Sequence, residues 1–240
     1  MNYYRDNLLL SRLKEISSEL EQTWIPAVGE WLLVYGDQKY TPKFTCHVKE
    51  PNVTTSELVS AGINQLKLVD HISLTVKTLN QFEVKINAEP AITLSGESLI
   101  ELYLNKSFIS QGRPSWKGIN KSSSSHYHVL QQRMNLLGGV IDIDLMRINP
   151  DRRNLFFELK RSYIEPEKWM PFRADFGGYK LLSGFAEKNN GKLFVVYWKR
   201  QLNPWHEDLT KIKILQYINE EFRFIEYVHY SEFVEKYLLN

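Results

Sequence analysis

Cysteine is almost missing from this chain. Cys46 is the single one in 240 residues, which excludes an internal disulfide and any zinc site built on several thiolates. Long apolar runs are missing too. No segment approaches the roughly 20 apolar residues that cross a bilayer, and Leu8–Leu10 gives way at once to Arg12, Lys14 and Glu15, too short a run for a secretory signal. A reducing, cytoplasmic setting without a membrane is therefore the expectation. Nor is there an excess of one charge: 30 Lys and Arg stand against 28 Asp and Glu, a net of +2. A nucleic-acid-binding surface, if present, must be local. Three motifs are also absent: the Gly-x-x-x-x-Gly-Lys phosphate loop, Gly-x-Gly-x-x-Gly and Gly-x-Ser-x-Gly. P-loop nucleotide hydrolysis, dinucleotide redox chemistry and serine-esterase chemistry thereby lose their usual signatures.

What is present supports a sizeable core. Apolar residues make up 43% and aromatic residues 13%, enough for one large domain or a core with a smaller attachment. The spacing Leu9, Leu13, Ile16, Leu20 and Trp24 predicts a helix capped by Asp6 and running to about Gln22. Trp31–Tyr35 reads as a buried strand, and Phe44/Cys46/Val48, Ile72/Leu74/Val76 and Phe82/Val84/Ile86 alternate as strands do. Thr54 and Glu57 have capping-box spacing. Residues 1–92 thus form an N-terminal α/β region, and 93–240 a second unit. In the latter a helix carries Leu99, Ile100, Tyr103 and Leu104 inward. Strands follow near 138–148, 155–161, 193–198, 212–217 and 222–228, with a helix over 172–188 and a short one from Ser231.

The chemistry concentrates in two of these strands. In Val140-Ile141-Asp142-Ile143-Asp144-Leu145 the two aspartates fall on one face and the aliphatic residues on the other. In Phe156-Phe157-Glu158-Leu159-Lys160, Glu158 and Lys160 share a face. A short turn with Asn149-Pro150-Asp151 joins the strands, so they are expected to pair antiparallel and to gather Asp142, Asp144, Glu158 and Lys160 on one patch. Clustered carboxylates repel one another unless a hard divalent cation binds their oxygens. A lysine beside such a cation can orient or deprotonate a water, or stabilise charge on a phosphate. The bland alternative is a solvated hairpin face with Glu–Lys cross-strand pairing.

Ile-Asp-Ile-Asp-Leu (141–145), a turn, then Phe-Phe-Glu-Leu-Lys-Arg (156–161) resembles the PD-(D/E)xK nuclease superfamily over about residues 95–200. The resemblance implies a restriction-endonuclease-like α/β fold with a mixed central sheet flanked by helices. It implies metal-dependent hydrolysis of nucleic-acid phosphodiesters, DNA before RNA, by an endonuclease of restriction, recombination or mobile-element type using Mg²⁺ or Mn²⁺. Carried over, Asp144 and Glu158 are metal ligands, with Asp142 competing for the first role. Lys160 is the catalytic lysine, and Glu101, with Glu97 as competitor, is the acid of the preceding helix. No proline precedes either aspartate, and Asp175 with Tyr179 stands where several members carry glutamine and tyrosine. Arg147, Arg152, Arg153 and Arg161, together with Lys117 and Lys121 of the acid-free stretch 106–133, are candidate phosphate contacts. Trp116 and Tyr127 are candidate base-stacking rings, and His126-x-His128 reads as a surface pair. A homodimer would suit the cutting of both strands. The rival reading is a catalytically degenerate nuclease fold that binds nucleic acid or a protein partner.

Overall fold

A computed structural model describes residues 7–54, 60, 62–63, 66, 71–78, 80–87, 89–106, 110–111, 136–149 and 152–239. The N-terminal elements are α1 (Leu8–Glu15), β1 (Thr23–Trp24), β2 (Glu30–Gly36), β3 (Pro42–Lys49), β4 (His71–Thr78), β5 (Gln81–Ile86), β6 (Ile92–Ser95) and α2 (Gly96–Lys106). Then come β7 (Ser110–Gln111), β8 (Leu136–Leu137), β9 (Val140–Asp142), β10 (Leu145–Arg147) and β11 (Asn154–Ser162). The chain closes with α3 (Phe176–Lys188), β12 (Gly191–Leu202), β13 (Trp205–Ile218), β14 (Glu221–Val228) and a C-terminal helix made of α4 (Tyr230–Phe233) and the π-helical turn Val234–Leu239. Glu57, Trp116, Lys117, Lys121, Tyr127 and the His126/His128 pair lie outside the described residues.

The class is mixed α/β with two six-stranded mixed sheets. Sheet I runs β1-β10-β11-β12-β13-β14 and sheet II runs β6-β5-β4-β3-β2-β9, with β7 and β8 pairing separately. Each large sheet has one parallel pair, β11 with β12 and β3 with β4. Helix α3 makes the crossover that the β11–β12 pair requires. The sheets interleave in sequence: β1 joins sheet I, β9 joins sheet II, and a boundary between residues 92 and 93 cuts through β6.

The central strands of sheet I are buried on both faces and are accordingly apolar in both parities, while its edge strand β14 is largely exposed. Phe156, Val195 and Tyr197 face α3, joined by Leu32 and Val34 of sheet II. Phe157, Leu159, Val196 and Trp198 face α1 and the C-terminal helix. A third core lies on the far face of sheet II, where Leu99 and Tyr103 of α2 cover Leu33, Cys46, Leu74 and Phe82. Helix α1 has eight residues, too few to persist alone. Leu9, Leu10 and Leu13 are fully buried, each stabilising it by about 1.5–3 kcal/mol. Among the described residues no helix is long and apolar enough to cross a membrane.

Four local expectations change. Asn7, rather than Asp6, caps α1, its side chain accepting from Leu10 N at 3.0 Å. The helix stops at Glu15 instead of Gln22, where Ser17-Ser18 opens a 3-10 turn, since serine competes with the helix for backbone hydrogen bonds. Helix α3 starts at Phe176, after a 3-10 turn over Arg173–Asp175, so Gly177 and Gly178 lie in its first turn. The segment 138–148 is two short strands in different sheets rather than one: Asp142 pairs with Leu33 in sheet II, and Leu145 pairs with Phe157 in sheet I. Between them Ile143 is fully buried and donates its N–H to Leu32 O at 2.9 Å.

Candidate active site

The β10–β11 register sets Leu145 opposite Phe157 and Met146 opposite Phe156. Extended by one residue, it puts Asp144 opposite Glu158. Both are buried, at 3% and 5% exposure. Asp144 Oδ2 accepts from Leu159 N at 2.7 Å, which ties the aspartate to the backbone of the Glu-x-Lys strand. Lys160, two residues along the same face, places Nζ 2.8 Å from Glu158 Oε1 and 6.0 Å from the centroid of the Tyr179 ring. Glu158 Oε2 is buried without a hydrogen-bond partner, as is the Tyr179 hydroxyl.

Electrostatics follow from this packing. Burial raises the Asp144 pKa well above the usual carboxylate value, and the charges of Glu158 and Asp142 add to it against Lys160 and the Leu159 N–H. Burial likewise raises Glu158, offset by Lys160 and reinforced by Asp142 and Asp175. Burial alone would lower Lys160, but Glu158, Tyr179 and Asp144 outweigh it and hold the ammonium firmly protonated. A cleft of about 460 Å³ opens beside these groups, with Asp142, Glu158, Lys160, Asp175, Tyr179 and Tyr40 among its walls.

No family model matches the chain, and no curated protein or solved structure matches it either.

The fold sorts the candidate residues. Asp144, Glu158 and Lys160 come together, and Asp142 lines the same cleft from the end of β9. Asp175 and Tyr179, one helical turn apart, line it too. Glu101 does not join them. It is exposed on α2, which covers the far face of sheet II, and Glu97 is exposed on the same helix. Arg147 and Arg161 are mostly buried and lie away from this cleft, Arg147 lining a separate open cleft with Ser18, Gln22 and Leu238. Arg147 is 8% exposed and donates from Nη2 to Leu239 O at 3.2 Å. Arg161 is paired with Glu207, both side chains almost fully buried. Arg152 and Arg153 are exposed, but at the opposite end of the hairpin. Arg153 is five residues from Glu158 along the strand, roughly 17 Å.

The sequence reading missed Tyr40. It comes from the β2–β3 turn, about a hundred residues before the motif, and no local pattern around Asp37-Gln38-Lys39-Tyr40 marks it as a cleft residue.

Proposed function

We propose that this chain hydrolyses nucleic-acid phosphodiester bonds, DNA first, with Mg²⁺ or Mn²⁺, from a restriction-endonuclease-like core formed by β10, β11, α3 and β12. The observation that carries this reading is the buried carboxylate pair Asp144–Glu158 with Lys160 on Glu158, where Glu158 and Lys160, but not Asp144, line the wall of an open cleft. Two buried carboxylates set against each other are unfavourable without a counter-charge. The unpartnered Glu158 Oε2 marks where one is lacking.

The residues suit a hard divalent cation. Asp144 and Glu158 would hold it through carboxylate oxygens, with Asp142 close enough to add its charge. Among the described residues no group of three or more His, Cys, Asp or Glu converges as a ready-made metal cage. Mg²⁺ is compatible with that, since it is commonly bound by one or two carboxylates and completes its shell with water and phosphate oxygens. When bound, the ion supplies Lewis acidity at the phosphorus and a counter-charge to the buried carboxylates. Lys160 supplies the second positive charge. In the metal-free site its ammonium is held protonated by Glu158, which suits it to stabilise the negative charge that builds on the phosphate oxygens. Tyr179, its ring 6.0 Å from Lys160 Nζ and its hydroxyl buried, backs the lysine.

The test compares wild type with Glu158→Ala on plasmid and single-stranded DNA and on RNA, with Mg²⁺, Mn²⁺ or a chelator. Metal-dependent cutting that the variant loses is the expected result. No cutting of any nucleic acid, together with no metal binding by calorimetry, would leave a binding module as the better account.

A further inference from the structure

Tyr40 occupies a built position with no structural purpose that its surroundings explain. Asp37 Oδ1 accepts from the N–H groups of Lys39 and Thr41, each at 2.9 Å, and Tyr40 N donates to Asp37 O at 2.9 Å. The turn so formed holds Tyr40 at φ 61°, in the left-handed region that a bulky side chain adopts only when its surroundings enforce it. Two glycines make room for its ring. A Cβ on Gly177 would stand 2.3 Å from Tyr40 Cζ, and one on Gly139 would stand 2.8 Å from Cδ1. The turn is thus closed, the backbone strained and two neighbouring walls stripped of side chains, all around one ring. Yet that ring is 40% exposed, so filling a core is not its task. It fronts the same cleft as Glu158 and Lys160.

An aromatic ring packed on glycine backbone and partly exposed on the wall of a cleft can offer a surface for stacking on a nucleobase. Such stacking tolerates any base, because every base has a π-face. Resting on the nuclease reading of this cleft, we propose that Tyr40 stacks on the base next to the scissile phosphate, so that the strand must be unpaired there. A base within an uninterrupted duplex is already stacked on both sides and cannot offer its face to a side ring without being extruded. The substrate class is then a single-stranded segment, overhang or flap rather than continuous duplex.

The experiment uses the whole chain with Ca²⁺ in place of Mg²⁺ to hold turnover back, and short DNA strands carrying a fluorescent aminopurine base that is quenched on stacking. Tyr40→Asn removes the ring while keeping a residue that tolerates the left-handed backbone. Circular dichroism confirms its fold. The wild type and Tyr40→Phe should quench the probe equally and prefer single strand to duplex. Tyr40→Asn should bind about ten-fold or more weakly, with the quench gone. In a parallel Mg²⁺ cleavage assay the same preference for unpaired strands should appear. Quenching without cutting would overturn the hydrolytic reading and keep Tyr40 as a base platform. Cutting with equal rates on single strand and duplex, and no response to Tyr40→Asn, would overturn the stacking proposal and keep the nuclease.

Discussion

Asp144→Asn should make the metal-free protein more stable while ending its activity. Asp144 and Glu158 face each other across β10 and β11, where cross-strand Cβ atoms lie about 4.5–5.5 Å apart. Two full negative charges about 5 Å apart at an effective dielectric of about 20 repel by about 3 kcal/mol. Asparagine removes that repulsion and keeps an oxygen for the Leu159 N–H. The hydrogen bond loses its charge assistance, a loss of about 1–1.5 kcal/mol. The net gain is about 1–2 kcal/mol, or roughly 2–8 °C in Tm for a chain of this size. The pH dependence has a definite sign. Burial, then Glu158 and Asp142, raise the Asp144 pKa in the folded state. As pH rises from the unfolded value of about 3.9, the unfolded chain releases this proton first, so wild-type stability falls until pH passes the folded pKa. The advantage of Asp144→Asn is therefore absent below about pH 4 and grows above it. If the proposed metal site holds, divalent cation should reverse the order: at a concentration of about 100 times Kd it should add about 2.7 kcal/mol to the wild type and little to the variant. Urea unfolding across this pH range, with chelator and with Mg²⁺, reads all of it. A variant no more stable than wild type in chelator at any pH, or equally stabilised by Mg²⁺, would refute the reasoning.

Two further outcomes test the sorting of the charged residues. Glu207→Gln leaves the Arg161 guanidinium buried without its counter-charge and weakens the bonds from Trp198 Nε1 and Leu8 N. It should lower unfolding free energy by about 3–5 kcal/mol, while cleavage per folded molecule stays at the wild-type rate. Arg152→Gln combined with Arg153→Gln should leave single-turnover cleavage unchanged, and the salt dependence of DNA affinity unchanged too. A slope shallower by about one for each residue would instead put the nucleic-acid backbone over the hairpin turn.

Much of the fold can be read from side-chain alternation. Strands β3, β4 and β5 lie where period two in Phe44–Val48, Ile72–Val76 and Phe82–Ile86 predicts them, and β2 where the apolar run Trp31–Tyr35 does. The Glu158/Lys160 face is legible because β11 is long and unbroken. The same alternation, carried further, turns two of the arginines away from the Glu158 face. Arg161 has the parity of Leu159, and Arg147 that of Leu145, so both lie on the face that α1 and the C-terminal helix cover. Basic character near a motif is a weaker signal than parity. Glu101 illustrates another limit. A helix that precedes the aspartate strand in sequence need not pack on its sheet, and α2 is held on sheet II by Leu99 and Tyr103. Tyr40 was out of reach, since its partners Gly139 and Gly177 meet it only through tertiary contacts.

The break at Ile143 separates two aspartates that the sequence offers as equals. A continuous strand would place Asp142 and Asp144 side by side on one face. The chain instead leaves sheet II after Asp142, buries Ile143, and enters sheet I at Leu145. Asp144 is thereby set against Glu158 and tied to Leu159, almost without solvent, while Asp142 stays partly exposed on the cleft wall and adds its field to both carboxylates. A partly solvated charge is screened, so its removal changes the attraction for a cation without removing a ligand. Asp142→Asn should then raise the Mg²⁺ concentration needed for half-maximal cutting several-fold and leave the rate at saturating metal near that of the wild type. Asp144→Asn should abolish the rate at every metal concentration. Titration of cleavage against Mg²⁺ separates the two. If Asp142→Asn is the variant that no amount of metal rescues, the principal ligand lies on the sheet II side of the break, and the pairing of Asp144 with Glu158 is only a structural contact.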